Sequence, residues 1–239
     1  MNALRESAGL SLEIQRRLGE VDNYNRWIFE QLAPYVGERV LDVGSALGNI
    51  TELFLDREHV VGIDVVAEFA AELDRRFGDR TNFRVELADI SDPAVIRLAE
   101  ERFDTIVCAN VLEHVEDDAA ALDHMHEILI PGGHACLLVP AFGALFGTLD
   151  EVDDHFRRYT RPTLRSRLEA AGFEVVHLHY MNVLGIAGWV LNGKILRRRL
   201  VPRGQYSFYN RLVPLLALVE RRLRPPFGLS LVAIARKPV

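Results

Sequence analysis

The stretch Arg39-Val40-Leu41-Asp42-Val43-Gly44-Ser45-Ala46-Leu47-Gly48 joins an aliphatic run to a turn bounded by two glycines, with Asn49-Ile50-Thr51 leading on into a helix. A glycine turn between strand and helix lets backbone amides approach a ligand closely at the carboxyl edge of a parallel sheet. The next strand ends Val61-Gly62-Ile63-Asp64, and a carboxylate at that edge can accept both hydroxyls of a ribose. The pair predicts a nucleoside site. The turn is not the pyrophosphate fingerprint G-x-G-x-x-G, and no Walker-type G-K-[ST] occurs.

Outward from this turn, β-branched runs alternate with helical patterns, the signature of βαβ units and a parallel sheet. Strands are expected at Arg39–Val43, Val60–Asp64, Asn82–Leu87, Thr105–Ala109, His134–Pro140, Phe173–Tyr180 and Leu229–Arg236. Helical stripes fall at Phe69, Leu73 and Phe77, at Leu122, Met125 and Leu129, and at Leu164, Leu168 and Ala171. One opening helix is expected from Ser11 to Tyr35. The reading is an α/β, Rossmann-like, seven-stranded and mostly parallel sheet with helices on both faces, plus a helical insertion before the last strand. The expected organisation is an N-terminal cap over 1–35, a core over 36–180, an insertion over 181–228, and a final strand over 229–239. Pro202, Pro214, Pro225 and Pro226 are expected to cut the insertion into short helices.

Of the 239 residues, 49% are hydrophobic and 26% charged, which excludes collagen-like, low-complexity and wholly disordered classes. Cys108 and Cys136 make no disulfide framework and sit in no metal-ligand spacing, so no metal site is read, and their usage suits a reducing cytoplasm. The N-terminus Met1-Asn2-Ala3-Leu4-Arg5-Glu6 shows no apolar leader. The longest late apolar run, Val183 to Leu191, is short of the roughly 20 residues of a spanning helix. Net charge is −6, but residues 181–228 carry nine basic side chains against one acid, Glu220, a local +8 that leaves −14 for the rest. An acidic body argues against nucleic acid as the main partner.

The turn resembles motif I of the class I S-adenosylmethionine-dependent methyltransferases. The likeness extends through Asp64, the segment Ala88-Asp89-Ile90, the run Phe103 to Val115, and Leu129-Ile130-Pro131-Gly132-Gly133-His134. One departure is Ala46, where the family usually has glycine. The resemblance implies S-adenosylmethionine as cofactor. Gly44, Ser45 and Gly48 would pass its methionyl and ribose portions, Asp64 with Val65 would hold the ribose, Asp89 would read the adenine amine beside Ile90, and Asn110 and Val111 would lie beside the sulfonium. Tyr24, in Tyr24-Asn25-Arg26-Trp27, is either a cofactor hydrogen-bond partner or a packing aromatic.

Methyl transfer needs in-line placement and a neutral or deprotonated nucleophile, so a base must be sought in substrate-facing segments. His155, in Asp153-Asp154-His155-Phe156-Arg157-Arg158-Tyr159-Thr160, is the first candidate, although it, Arg157 and Tyr159 could instead fix the loop against the sheet. His114, in Leu112-Glu113-His114-Val115, is the weaker candidate beside a structural or cofactor-loop role. Arg157, Tyr159 and Trp189 are expected to meet the substrate. The run Arg157–Thr160, Tyr180-Met181-Asn182, Gly188-Trp189 and Pro226–Leu231 resembles one subgroup of these enzymes, a likeness that sharpens architecture more than substrate.

The expected acceptor is a small or amphipathic metabolite, a natural product, sugar or lipid-linked molecule. The alternatives are a non-catalytic cofactor- or partner-binding module and a methyltransferase acting on RNA or protein. The insertion is read as a lid over the acceptor, its arginines favouring an anionic acceptor or an anionic membrane surface. A solvated basic face is the other reading. Localisation is expected to be cytoplasmic, with peripheral membrane contact through 181–228.

Overall fold

The structure, a computed structural model, describes residues 2–239; Met1, the first residue of the expected cap, lies outside the described residues. Two helices open the chain, α1 (Asn2–Gly19) and α2 (Asp22–Leu32). The single helix expected over Ser11–Tyr35 is therefore broken at Glu20-Val21. There Asn25 Nδ2 donates to the Leu18 carbonyl at 2.8 Å, satisfying an acceptor at the end of α1 that the helix ladder leaves over.

The first half of the core follows as β1 (Arg39–Val43), β2 (His59–Asp64), α3 (Ala67–Phe77), β3 (Phe83–Leu87) and β4 (Thr105–Ala109). The second half comprises α4 (Asp118–Ile128), β5 (His134–Pro140), α5 (Thr148–Val152), α6 (Arg161–Ala170) and β6 (Glu174–Met181). All seven strands form one sheet in the order β3-β2-β1-β4-β5-β7-β6, in which β7 (Ser230–Arg236) runs antiparallel to both neighbours. Apolar side chains bury on both faces, as near-continuous strands require. Ile106 and Cys108 of β4 join one core layer, while Val107 between them joins the other. The order reverses between β1 and β4, and the crevice at their carboxyl ends is where doubly wound sheets bind ligands.

Between β6 and β7 lie α7 (Val183–Trp189), a π-helical turn over Val190–Ile195, and α8 (Arg203–Leu223). Pro214 sits inside α8 rather than ending it. A proline deprives the carbonyl four residues earlier of its donor. Here that carbonyl, on Asn210, accepts from Asn23 Nδ2 of α2 at 3.0 Å, so the helix continues across the proline and docks on α2. Among the described residues no helix is long and apolar enough to cross a membrane.

Candidate functional site

Two cavities meet above the carboxyl ends of β1, β2 and β4. The first, of about 510 Å³, is bounded by Gly44, Ala46, Asp64, Val65, Asp89, Ile90, Asn110 and Val111. The Gly44 backbone is left-handed, with φ +69°, and a Cβ there would come within 2.3 Å of Val111 Cγ2. Only glycine lets the turn pass Val111 so closely. Asp64 is buried, and its carboxylate accepts the backbone N–H of Ala46 on Oδ2 and that of Val66 on Oδ1, each at 2.9 Å. Burial raises its pKa, although these N–H groups favour the charged form. A carboxylate has about four acceptor sites, so capacity remains for hydroxyls. Asp89 Oδ1 accepts from the N–H and hydroxyl of Ser91 at 2.8 and 2.7 Å.

The charge of this lining tests what it can hold. Among the described residues, Asp64, Asp89, Glu116, Asp153 and Asp154 line it together with no lysine or arginine. A pyrophosphate would be repelled, whereas a nucleoside carrying a sulfonium cation is matched in charge and in ribose acceptors. The residues present therefore fit S-adenosylmethionine.

Several residues expected in the cofactor site lie elsewhere. A Cβ on Gly48 would strike Phe77 and Leu73 of α3 at 2.6 and 2.8 Å, so this glycine admits helix α3, and it is absent from the lining of the first cavity. Ser45 is buried, and its hydroxyl donates to the Asp42 carbonyl at 3.0 Å, tying the turn to β1. Tyr24 packs edge-on against Tyr209 of α8, with centroids 5.8 Å apart, and lines the second cavity. Two residues expected at the substrate are also structural. Tyr159 is buried, donating to Asp118 Oδ2 at 2.7 Å and the Leu112 carbonyl at 3.2 Å, and Arg157 pairs with the same Asp118 at 3.0 Å while donating to the Val115 carbonyl at 2.9 Å. Neither lines either of these two cavities.

The second cavity, of about 480 Å³, is largely apolar and is built from α1, α7, the π-helical turn and α8, with Trp189 in its wall. Gln15, Asn110, His114 and Asp153 line both cavities and mark their junction. Asn110 reaches this point through a left-handed backbone, φ +55°, at the tip of β4.

Around the junction, Asp150 is a fully buried anchor that the sequence reading did not single out. It accepts from His155 Nδ1 at 2.9 Å, Arg158 Nε at 2.7 Å, Trp189 Nε1 at 3.2 Å and the Gly147 N–H at 2.9 Å. One carboxylate thus ties the loop after β5 to the segment containing Trp189. Burial opposes its charge, but the hydrogen bonds from His155 and Arg158 keep its pKa below the usual value. A second buried carboxylate, Glu113, has neither oxygen hydrogen-bonded, and burial pushes its pKa up to about 7.

The two histidines then separate. Burial disfavours a charged His155 ring, yet hydrogen bonds to Asp150 and Asp153 and the charge of Glu113 outweigh it and push the pKa up to about 9. That shift favours the protonated ring at neutral pH, a state opposed to the base role expected of it. His114 is shifted the other way, lowered by burial and by the charge of His155. It is neutral at neutral pH and stands at the junction. Glu113, His114 and His155 also bring one metal-ligating atom each within 4.8 Å of one another. With both His155 nitrogens directed at carboxylates, at 2.9 and 3.5 Å, its ring holds a proton where a metal would need a lone pair.

Both the sequence and the fold have matches among known proteins. Residues 14–178 match the family described as methyltransferase domain. A ubiquinone biosynthesis O-methyltransferase of Pseudomonas aeruginosa is 29% identical over 163 residues, covering 62% of this chain and 69% of the relative. A chain from the complex of the Haloferax volcanii Trm112 methyltransferase activator with a methyltransferase superposes with a TM-score of 0.65 at 18% identity, covering 95% of this chain and 96% of that one. The N-methyltransferase NodS of Bradyrhizobium japonicum, solved with S-adenosyl-L-homocysteine, gives a TM-score of 0.57 at 18% identity, covering 95% and 88%. At these identities the solved structures establish the shared fold.

Proposed function

This chain belongs to the methyltransferase-domain family, with the fold of the class I S-adenosylmethionine-dependent enzymes, and from that premise we propose that it methylates a hydroxyl of an amphipathic metabolite. The observation that carries the acceptor class is the apolar cavity joined to the acidic one at Asn110 and His114. Its volume of about 480 Å³ lies in the range of cavities that enclose small organic ligands, roughly 300–1,000 Å³. The O-methyltransferase relative supports oxygen as the acceptor atom.

When bound, S-adenosylmethionine supplies a methyl group on a sulfonium that is already a good leaving group. Asp64 would take the ribose hydroxyls, Asp89 and Ile90 would meet the adenine, and Gly44 would leave room for the chain between. His114, neutral at the junction, accepts the acceptor's hydroxyl proton on a ring nitrogen, a contribution of roughly 10²–10⁴-fold. His155, held protonated by Asp150, keeps His114 in its neutral form through its adjacent charge. Trp189 and the helices around it exclude water from the acceptor.

Of the nine basic residues in 181–228, only Arg199 lines the apolar cavity. Arg158 also lines it, but its guanidinium is held by Asp150 and stacks over Trp189 at 4.7 Å. These placements support an acceptor enclosed by its apolar part rather than by its charge. Incubation with methyl-labelled S-adenosylmethionine and a panel of hydroxylated amphiphiles tests the reading. Label in an organic-phase product with an oxygen-bound methyl supports it; label confined to protein or RNA overturns it.

A further inference from the structure

The segment between β6 and β7 has an outward face that its role as a cavity wall leaves unused. On α8, Val213 points inward and is 1% exposed, while Phe208, Leu215 and Leu223 on the opposite face are 65%, 62% and 73% exposed. Their spacings of seven and eight residues, two turns each, keep them on one stripe. Ile195, after α7, is 67% exposed. Globular proteins rarely present this much aliphatic and aromatic surface together without a partner for it.

Charge selects the partner. Arg211 and Arg222 fall within the apolar stripe of α8, Arg221 and Arg224 flank its end, and Lys194 and Arg197 border Ile195. Arg211, Arg221 and Arg222 form no ion pair with an acidic side chain among the described residues. A second copy placed symmetrically on this face would set arginine against arginine. An anionic bilayer instead satisfies both features, taking the apolar side chains below its headgroups while its phosphates meet the guanidinium groups.

Position strengthens the argument. Leu184, Leu191 and Phe208 belong to both surfaces, each at least 40% exposed and each lining the apolar cavity. The cavity therefore opens within the basic apolar face. We propose that this face docks on an anionic membrane, so that the acceptor enters the cavity directly from the lipid. The entry route rests on the acceptor reading above, whereas the docking itself does not.

Vesicle co-sedimentation without acceptor or turnover separates the two. We expect the full chain to bind phosphatidylcholine vesicles containing phosphatidylglycerol at least tenfold more tightly than pure phosphatidylcholine, with binding weakened by salt. Leu215→Ser with Leu223→Ser, neither of which lines the two cavities described, should lower binding to anionic vesicles about tenfold while circular dichroism and S-adenosylhomocysteine affinity stay unchanged. Arg211→Glu with Arg222→Glu should remove the preference for anionic lipid. Absence of sedimentation with anionic vesicles at low salt overturns docking, as does binding that both double variants leave intact. A concentration-dependent dimer that is abolished by Leu215→Ser with Leu223→Ser and excludes vesicles also overturns it, assigning the face to a second copy. Failure of the labelled-methyl assay with vesicle binding intact refutes the acceptor and leaves the docking standing.

Discussion

The imidazole rings of His114 and His155 meet edge to face, with centroids 4.6 Å apart and planes at 85°. Two rings in such contact cannot both hold a proton without strong repulsion, and the carboxylates beside His155 decide which one does. Ring-nitrogen NMR should show His155 titrating near 9 and His114 below the ordinary histidine value. His155→Gln should raise the pKa of His114 by removing the neighbouring charge. Because the folded pKa of His155 exceeds the unfolded value of about 6.5, its stabilisation, about 3 kcal/mol, is complete below that pH and is lost as pH rises through about 9.

Asp64→Ala should weaken S-adenosylhomocysteine by about 2–3 kcal/mol, or roughly 30- to 150-fold, the scale of hydrogen bonds to a charged group. Titration calorimetry on the folded variant reads this directly. An unchanged dissociation constant would remove Asp64 from the ribose site.

Ala46 occupies a left-handed backbone conformation, φ +46°, that costs a Cβ-bearing residue roughly 1–2 kcal/mol. Glycine relieves that strain but adds unfolded-state entropy. Ala46→Gly should therefore stabilise the protein by about 0.5–1 kcal/mol net, raising Tm by about 1–4 °C in thermal melts. A lower Tm would contradict the strain.

Tyr159→Phe removes a buried hydroxyl that donates to Asp118 and the Leu112 carbonyl. The expected loss is about 1–2 kcal/mol of stability, with cofactor affinity and turnover unchanged. Turnover lost at constant stability would return Tyr159 to the substrate site.

The sheet was legible because apolar runs such as Thr105–Ala109 admit few other readings, and Asp64, ending β2, and Asp89, just past β3, were legible as neighbours because consecutive parallel strands end at one edge, where both line the same cavity. Gly48 was open in the sequence because a glycine records that something approaches closely without saying what, and the structure puts Phe77 and Leu73 there. The motif run around Arg157 and Tyr159 looked functional, but their partner Asp118 lies about 40 residues earlier in the chain. Asp150 carried one faint signal, a carboxylate shortly before His155, outweighed in the sequence by the adjacent Asp153 and Asp154. Only the fold turns α5 so that Asp150 meets His155, Arg158 and Trp189 together. Pro214 ends a helix on local rules, and its escape depends on Asn23 from the other end of the chain.

Single-turnover methyl transfer by His114→Gln, using the acceptor found in the labelling assay, is the most direct test that neutral His114 takes the acceptor's proton where the two cavities meet. The account predicts a rate about 10²-fold or more below wild type with S-adenosylhomocysteine affinity unchanged. A wild-type rate in the folded variant would contradict it.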